Sequence, residues 1–95
     1  MKLSIIIPTR ERAAFLQAAL ESCVSLDYSD LEILISDNAS TDNTREVVES
    51  FDDRRIVYTR TNGRVSMRQN FEHAINLSTG DYVLFIGDAF LTAAL

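Results

Sequence analysis

The chain has 95 residues and a formal net charge of −5, with 14 acidic against 9 basic side chains. Its 46% hydrophobic and 24% charged residues are the mix of one small globular domain, which excludes intrinsic disorder and low-complexity scaffolds. The acidic balance argues against non-specific nucleic-acid binding, and a single cysteine with a single histidine excludes an intrachain disulfide and a four-ligand structural zinc site.

The hydrophobic period alternates along the chain. Leu3-Ser4-Ile5-Ile6-Ile7 is a β-branched run stopped by Pro8 and reads as a buried strand. Arg12 to Val24 places Phe15, Leu16, Ala19, Leu20, Cys23 and Val24 at helical spacing. Leu31 to Ser36 is a second strand. Asp42 to Phe51 is a second helix with Val47, Val48 and Phe51 inward, entered through the capping-rich Ser40-Thr41-Asp42-Asn43. Arg55 to Thr59 is a third strand. Ser66-Met67-Arg68-Gln69 matches a capping box and opens a third helix striped by Phe71, Ala74, Ile75 and Leu77, with Gly80 expected in the left-handed conformation that ends helices. Tyr82 to Ile86 is a fourth strand, and the tail from Ala89 is apolar.

The order βαβαβαβ, with strands apolar on both faces, predicts an α/β fold: an open parallel sheet of about four strands with helices on both faces and right-handed crossovers. In such a sheet ligands bind beyond the carboxyl ends of the strands. There the sequence delivers Thr9, Arg10, Glu11 and Arg12, then Asp37, Asn38 and Ser40, then Thr61, Asn62, Gly63 and Arg64, then Gly87 and Asp88. Helix caps and turns account for many of these by themselves. Asp37 is the exception, because a carboxylate ending an apolar strand needs something bound to it; it is placed on a rim, where its loss would spare the fold. His73 is a helix-surface residue. No Gly-x-Gly-x-x-Gly and no phosphate-binding Gly-Lys-Ser/Thr loop follows the first strand, which removes the dinucleotide-binding dehydrogenase and P-loop classes.

Three segments together resemble the family 2 glycosyltransferases: Ser4 to Arg12, Glu32 to Thr44 with its Ser36-Asp37-Asn38-Ala39-Ser40-Thr41-Asp42 core, and Gly80 to Asp88. The resemblance implies a Rossmann-like sheet that forms the N-terminal half of a GT-A fold, and an inverting enzyme that uses a nucleoside-diphosphate sugar. It places Pro8, Thr9, Arg10, Asp37, Asn38, Arg64 and Asn70 at the donor nucleotide, with Asp37 near the base. Asp88 becomes the first acid of a metal-binding Asp-x-Asp motif, holding Mn²⁺ or Mg²⁺ weakly because Ala89 and Phe90 follow it. The chain ends at Leu95, before the acceptor half of the family, so the resemblance describes a truncated donor-binding portion spanning residues 1–95, without an assignable catalytic base and inactive alone. The alternatives are a non-catalytic nucleotide-binding module and a structural fragment. No segment has the length and apolarity of a transmembrane helix, and a cytoplasmic location is expected. With the fourth strand read as an open edge, a homodimer through Tyr82 to Leu95 is expected; the rival is that the tail folds back on its own sheet.

Overall fold

A computed structural model of the chain describes residues 1–86 and 91–94. Strand β1 (Leu3–Thr9) leads to helix α1 (Ala13–Val24), then β2 (Leu31–Asp37), α2 (Thr44–Glu49), β3 (Ile56–Arg60), α3 (Met67–Leu77), β4 (Tyr82–Ile86) and β5 (Leu91–Ala94). The sheet order is β3-β2-β1-β4-β5. β1 pairs in parallel with β2 (Leu3 opposite Leu31, Thr9 opposite Asp37) and with β4, and β2 pairs in parallel with β3. The α/β sheet with covering helices agrees with the sequence reading.

The strands are long apolar runs because both faces are covered. Side chains alternate across a strand, so Ile5, Ile7, Ile33 and Ile35 meet Leu16, Leu20 and Cys23 of α1 and Val48 of α2 on one face. Ile6 and Leu34 meet Ala74 of α3 on the other, joined by Phe71, Val83 and Phe85. Phe71 and Phe85 pack edge to face with ring centroids 4.8 Å apart. Each fully buried Ile or Leu here contributes about 1.5–3 kcal/mol. Cys23 is a small core side chain, and burial pushes its thiol pKa up. α3 opens with the predicted capping box: Ser66 Oγ accepts from Gln69 N, and Gln69 Oε1 accepts from Ser66 N.

Three expectations are corrected. α2 starts at Thr44 rather than Asp42, because the Asp42 carboxylate turns forward to accept from Thr44 N at 3.1 Å and so stands outside the helix. Gly80 is not left-handed; no glycine among the described residues has a positive φ. Its role is close approach: a Cβ at Gly80 would lie 2.5 Å from Ser4 Oγ and 2.7 Å from Ser4 N, and Gly80 N donates to Ser4 Oγ. The third correction concerns β4, which is not an edge. It pairs with β1 on one side and with β5, antiparallel, on the other (Val83 opposite Ala94, Ile86 opposite Leu91). The tail thus occupies the hydrogen-bonding edge on which the expected homodimer rested.

Candidate functional site

Strand order reverses at β1: the chain steps outward to β2 and β3, then returns to lay β4 on the other side. Open α/β sheets bind ligands in the crevice at such a switch point, beyond the carboxyl ends of the strands. A cavity of about 860 Å³ lies there. Its walls include Pro8 and Thr9 at the end of β1, Arg10 and Arg12 after it, Asn38 after β2, Arg64 and Val65 after β3, Gln69 and Asn70 of α3, and Phe85 of β4. Phe15 and Met67 add apolar surface. Among the described lining residues three are arginines and none is Asp, Glu or His, so the cavity is locally basic in a chain of net charge −5.

The loops around this cavity are interlocked. Glu11 and Ala39 both adopt positive φ (53° and 50°), a conformation costly for residues with a Cβ. Neighbouring contacts hold them: Glu11 N donates to Ser40 Oγ at 2.9 Å, and Thr41 Oγ1 donates to Glu11 Oε1 at 2.9 Å. Asp42 Oδ2 accepts from Ala13 N at 3.3 Å, which supplies to α1 the cap that its own N-cap residue Arg12 does not. The hydrogen bond from Thr44 holds the Asp42 carboxyl below the usual aspartate range, with Ala13 N adding to the effect.

Six of the eight residues expected at the donor and metal line the cavity: Pro8, Thr9, Arg10, Asn38, Arg64 and Asn70. They are not equivalent. Thr9 is 6% exposed, and among the described residues its buried hydroxyl has no hydrogen-bond partner; an orphaned buried hydroxyl costs about 1–3 kcal/mol, a cost that an incoming ligand group would remove. Arg10 donates to Asn38 O at 3.4 Å. Asn38 clamps the next loop, donating through Nδ2 to Val65 O at 2.7 Å and accepting through Oδ1 from Val65 N at 2.8 Å. Asn70, 2% exposed, bonds Ser36 twice: Ser36 Oγ donates to its Oδ1 at 2.6 Å, and its Nδ2 donates to Ser36 O at 3.0 Å. Both asparagines therefore hold elements together as well as lining the cavity.

The rim position expected for Asp37 is corrected to a buried one. Asp37 is fully buried at the end of β2. Oδ1 accepts from Ser40 N at 3.0 Å, while Oδ2 accepts from Tyr58 OH at 2.5 Å and from Arg60 Nη1 at 3.5 Å. Burial, then the bond to Asp37, push the Tyr58 hydroxyl pKa up. Asp88, the expected metal ligand, lies outside the described residues, as do Ala89 and Phe90. Among the described residues no three His, Cys, Asp or Glu side chains come together as a metal cluster. His73 is exposed on α3 and meets Thr59 Oγ1 at 3.4 Å. Sequence reasoning missed Ser36, Tyr58 and the apolar wall of Phe15, Met67 and Phe85. Strand alternation could have placed Tyr58 beside the core, but no local signal gives its partner 21 residues earlier.

The family model described as "Glycosyl transferase family 2" matches residues 4–88. The chain belongs to this family. Among the relatives of this family 2 chain, the GalNAc(5)-diNAcBac-PP-undecaprenol beta-1,3-glucosyltransferase of Campylobacter jejuni is 37% identical over 90 residues, 92% of this chain and 29% of that protein. The abequosyltransferase RfbV of Salmonella typhimurium is 35% identical over 92 residues, 92% of this chain and 28% of that protein. The family 2 chain therefore spans under a third of the length of these two relatives. A mannosyltransferase of Pyrobaculum calidifontis, solved with GDP-Man and Mn²⁺, superposes with a TM-score of 0.77 at 26% identity, covering 87% of this chain and 26% of that one. S. aureus TarS superposes with a TM-score of 0.83 at 24% identity over 90% of this chain and 27% of that one, and it shares the fold. No described helix is long and apolar enough to cross a membrane.

Proposed function

We propose that this family 2 chain binds a nucleoside-diphosphate sugar in the 860 Å³ cavity, as the donor-binding part of a glycosyltransferase. The observation that carries the reading is the cavity lining, where Arg10, Arg12 and Arg64 converge with no acidic side chain among the described residues. A diphosphate needs such a setting, since guanidinium groups match phosphate oxygens in geometry and charge. The Thr9 hydroxyl, without a partner among the described residues, supplies a donor or acceptor to the ligand. Asp37 lies opposite Thr9 in the β1–β2 register; in this reading it accepts from the nucleoside on Oδ2, with the weakly held, 41% exposed Arg60 side chain as the partner that gives way.

The reaction served is inverting transfer. An acceptor hydroxyl oxygen bonds to the anomeric carbon, the bond from that carbon to the diphosphate oxygen breaks, and the nucleoside diphosphate leaves with the electron pair. The arginines stabilise the charge that develops on the leaving diphosphate. No carboxylate or imidazole stands among the described lining residues, so none of them is assigned as the base that takes the acceptor proton. Asp88 is our candidate for a divalent cation on the diphosphate, supported by the GDP-Man and Mn²⁺ complex of the 26% identical mannosyltransferase.

Calorimetric titration with UDP, GDP, dTDP and their sugar conjugates, with and without Mn²⁺, tests the reading. One nucleotide is expected to bind, more tightly with Mn²⁺ than without, and Arg64→Ala is expected to weaken it about tenfold, the loss of one charged hydrogen bond. Absence of binding across the panel, or an unchanged Kd in Arg64→Ala, overturns it.

A further inference from the structure

A carboxylate that reads a nucleoside must hold one lone pair on a fixed line, which requires that it not rotate. Asp37 has two close donors, one on each oxygen: Ser40 N on Oδ1 at 3.0 Å and Tyr58 OH on Oδ2 at 2.5 Å. Ser40 N belongs to the loop that begins one residue after Asp37 and that carries the positive φ of Ala39. Tyr58 comes instead from β3, whose backbone is fixed against β2 with Ile35 opposite Tyr58 and Asp37 opposite Arg60. Its ring packs against the core cluster of Ile5, Ile7, Ile33 and Ile35, and the Arg45 guanidinium covers it, 5.9 Å from the centroid. The hydroxyl is thus carried on a half-buried ring packed between the core cluster and the Arg45 guanidinium. The third contact, from Arg60, is long and comes from a side chain 41% exposed.

We propose that Tyr58 is the positioning residue of the nucleoside site: its hydroxyl fixes the Asp37 carboxylate on the side away from the loop, so that nucleoside recognition depends on β3 as well as on β1 and β2. This inference rests on the reading of Asp37 given under Proposed function. Tyr58 touches no ligand in it; it acts through Asp37, and the exchangeable position on Oδ2 is the one that Arg60 holds.

The test is a double-mutant cycle on the 95-residue chain, with the tightest-binding nucleotide of UDP, GDP and dTDP as the probe. Tyr58→Phe keeps the ring and its packing and removes only the hydroxyl. It is expected to raise Kd about tenfold, and Asp37→Asn is expected to raise it tenfold or more. In the Asp37→Asn background Tyr58→Phe is expected to change Kd by less than about twofold, because the residue it acts through is already altered. If Tyr58→Phe has no effect, or if the two effects multiply in the double variant, the inference is overturned while the reading of Asp37 stands. If Asp37→Asn binds the nucleotide unchanged, the reading of Asp37 falls first and the inference with it. Should Asp37→Asn fail to fold, Tyr58→Phe is read against inorganic pyrophosphate with Mn²⁺, which carries no nucleoside. A loss confined to the nucleotide supports the role, and an equal loss for both ligands overturns it.

Discussion

Replacing Asn38 separates a residue that holds the site from one that merely contacts a ligand. The side chain of Asn38 is buried and makes two close hydrogen bonds, 2.7 and 2.8 Å, to the backbone O and N of Val65, besides a longer one accepted from Thr61 Oγ1 at 3.5 Å. Asn38→Ala removes them and leaves two half-buried backbone groups in need of water. Each lost bond costs about 1 kcal/mol, and an orphaned partner about 1–3 kcal/mol. Because Val65 lines the cavity, water reaches it in part, which puts the sum near 2–3 kcal/mol. For a domain of this size that is a fall in Tm of about 10–20 °C. Asn38→Asp keeps the acceptor for Val65 N but sets a carboxylate oxygen against Val65 O, and it is expected to be no more stable than Asn38→Ala. Urea unfolding followed by far-ultraviolet circular dichroism measures both. A midpoint for Asn38→Ala that gives less than about 0.5 kcal/mol of destabilisation, alongside weakened nucleotide binding, would mean that the clamp is dispensable and that Asn38 works only at the ligand.

Gly80→Ala brings a Cβ to within 2.5 Å of Ser4 Oγ and 2.7 Å of Ser4 N; with backbone on the other side of the clash, a loss of about 2–4 kcal/mol is expected in the same unfolding assay, and a neutral variant would contradict the close approach. Ala39→Gly relieves a φ of 50°, and the strain removed outweighs the added freedom of the unfolded chain, so a gain of about 0.5–1 kcal/mol is expected; a lowered midpoint would contradict it. Asp53 is bound by the Arg55 guanidinium and backbone N–H, which hold its carboxyl down at about 2. Since its folded pKa lies below the unfolded value of about 3.9, the roughly 2 kcal/mol it contributes is full above pH 4 and is lost as pH falls through 2. Asp53→Asn should flatten the stability profile between pH 4 and pH 2, and an unchanged acid profile would remove Asp53 from that role.

The strands were legible because buried parallel strands carry no polar face: Ile5-Ile6-Ile7 and Ile33-Leu34-Ile35 need no alternation to be read. The capping box at Ser66 and Gln69 was legible for the opposite reason, as both its partners lie within one turn. Contacts between distant segments were not. Gly80 showed only that a side chain was absent, and its neighbour Ser4 lies 76 residues earlier. Asp37, Asn38 and Asn70 read as ligand groups because the sequence gives residue type and place at the strand ends, but not the partners Tyr58, Val65 and Ser36 that hold them. The tail's apolarity is legible in the sequence, but its antiparallel pairing with β4 is not.

The polar residues at the carboxyl ends of the strands divide by what they hold. Asp37, Asn38, Ser40, Asp42 and Asn70 bind one segment of the chain to another. Thr9, Arg10, Arg12 and Arg64 line the cavity, which Asn38 and Asn70 also reach. The division follows from chemistry. Carboxylates and amides accept from backbone N–H groups and so serve as caps and clamps, whereas guanidinium groups carry long stems that reach past the loops. It also has an energetic consequence. The loops lie where strained residues such as Glu11 and Ala39 must be held, and the clamping set holds them before any ligand arrives. A ligand entering between the arginines then meets walls already set, and less of its binding energy goes to ordering them. A variant that weakens the clamping set therefore weakens binding by loosening the arginines it supports. Cutting the Asn38 clamp should therefore lower nucleotide affinity even though Arg64, on the loop it holds, is unchanged.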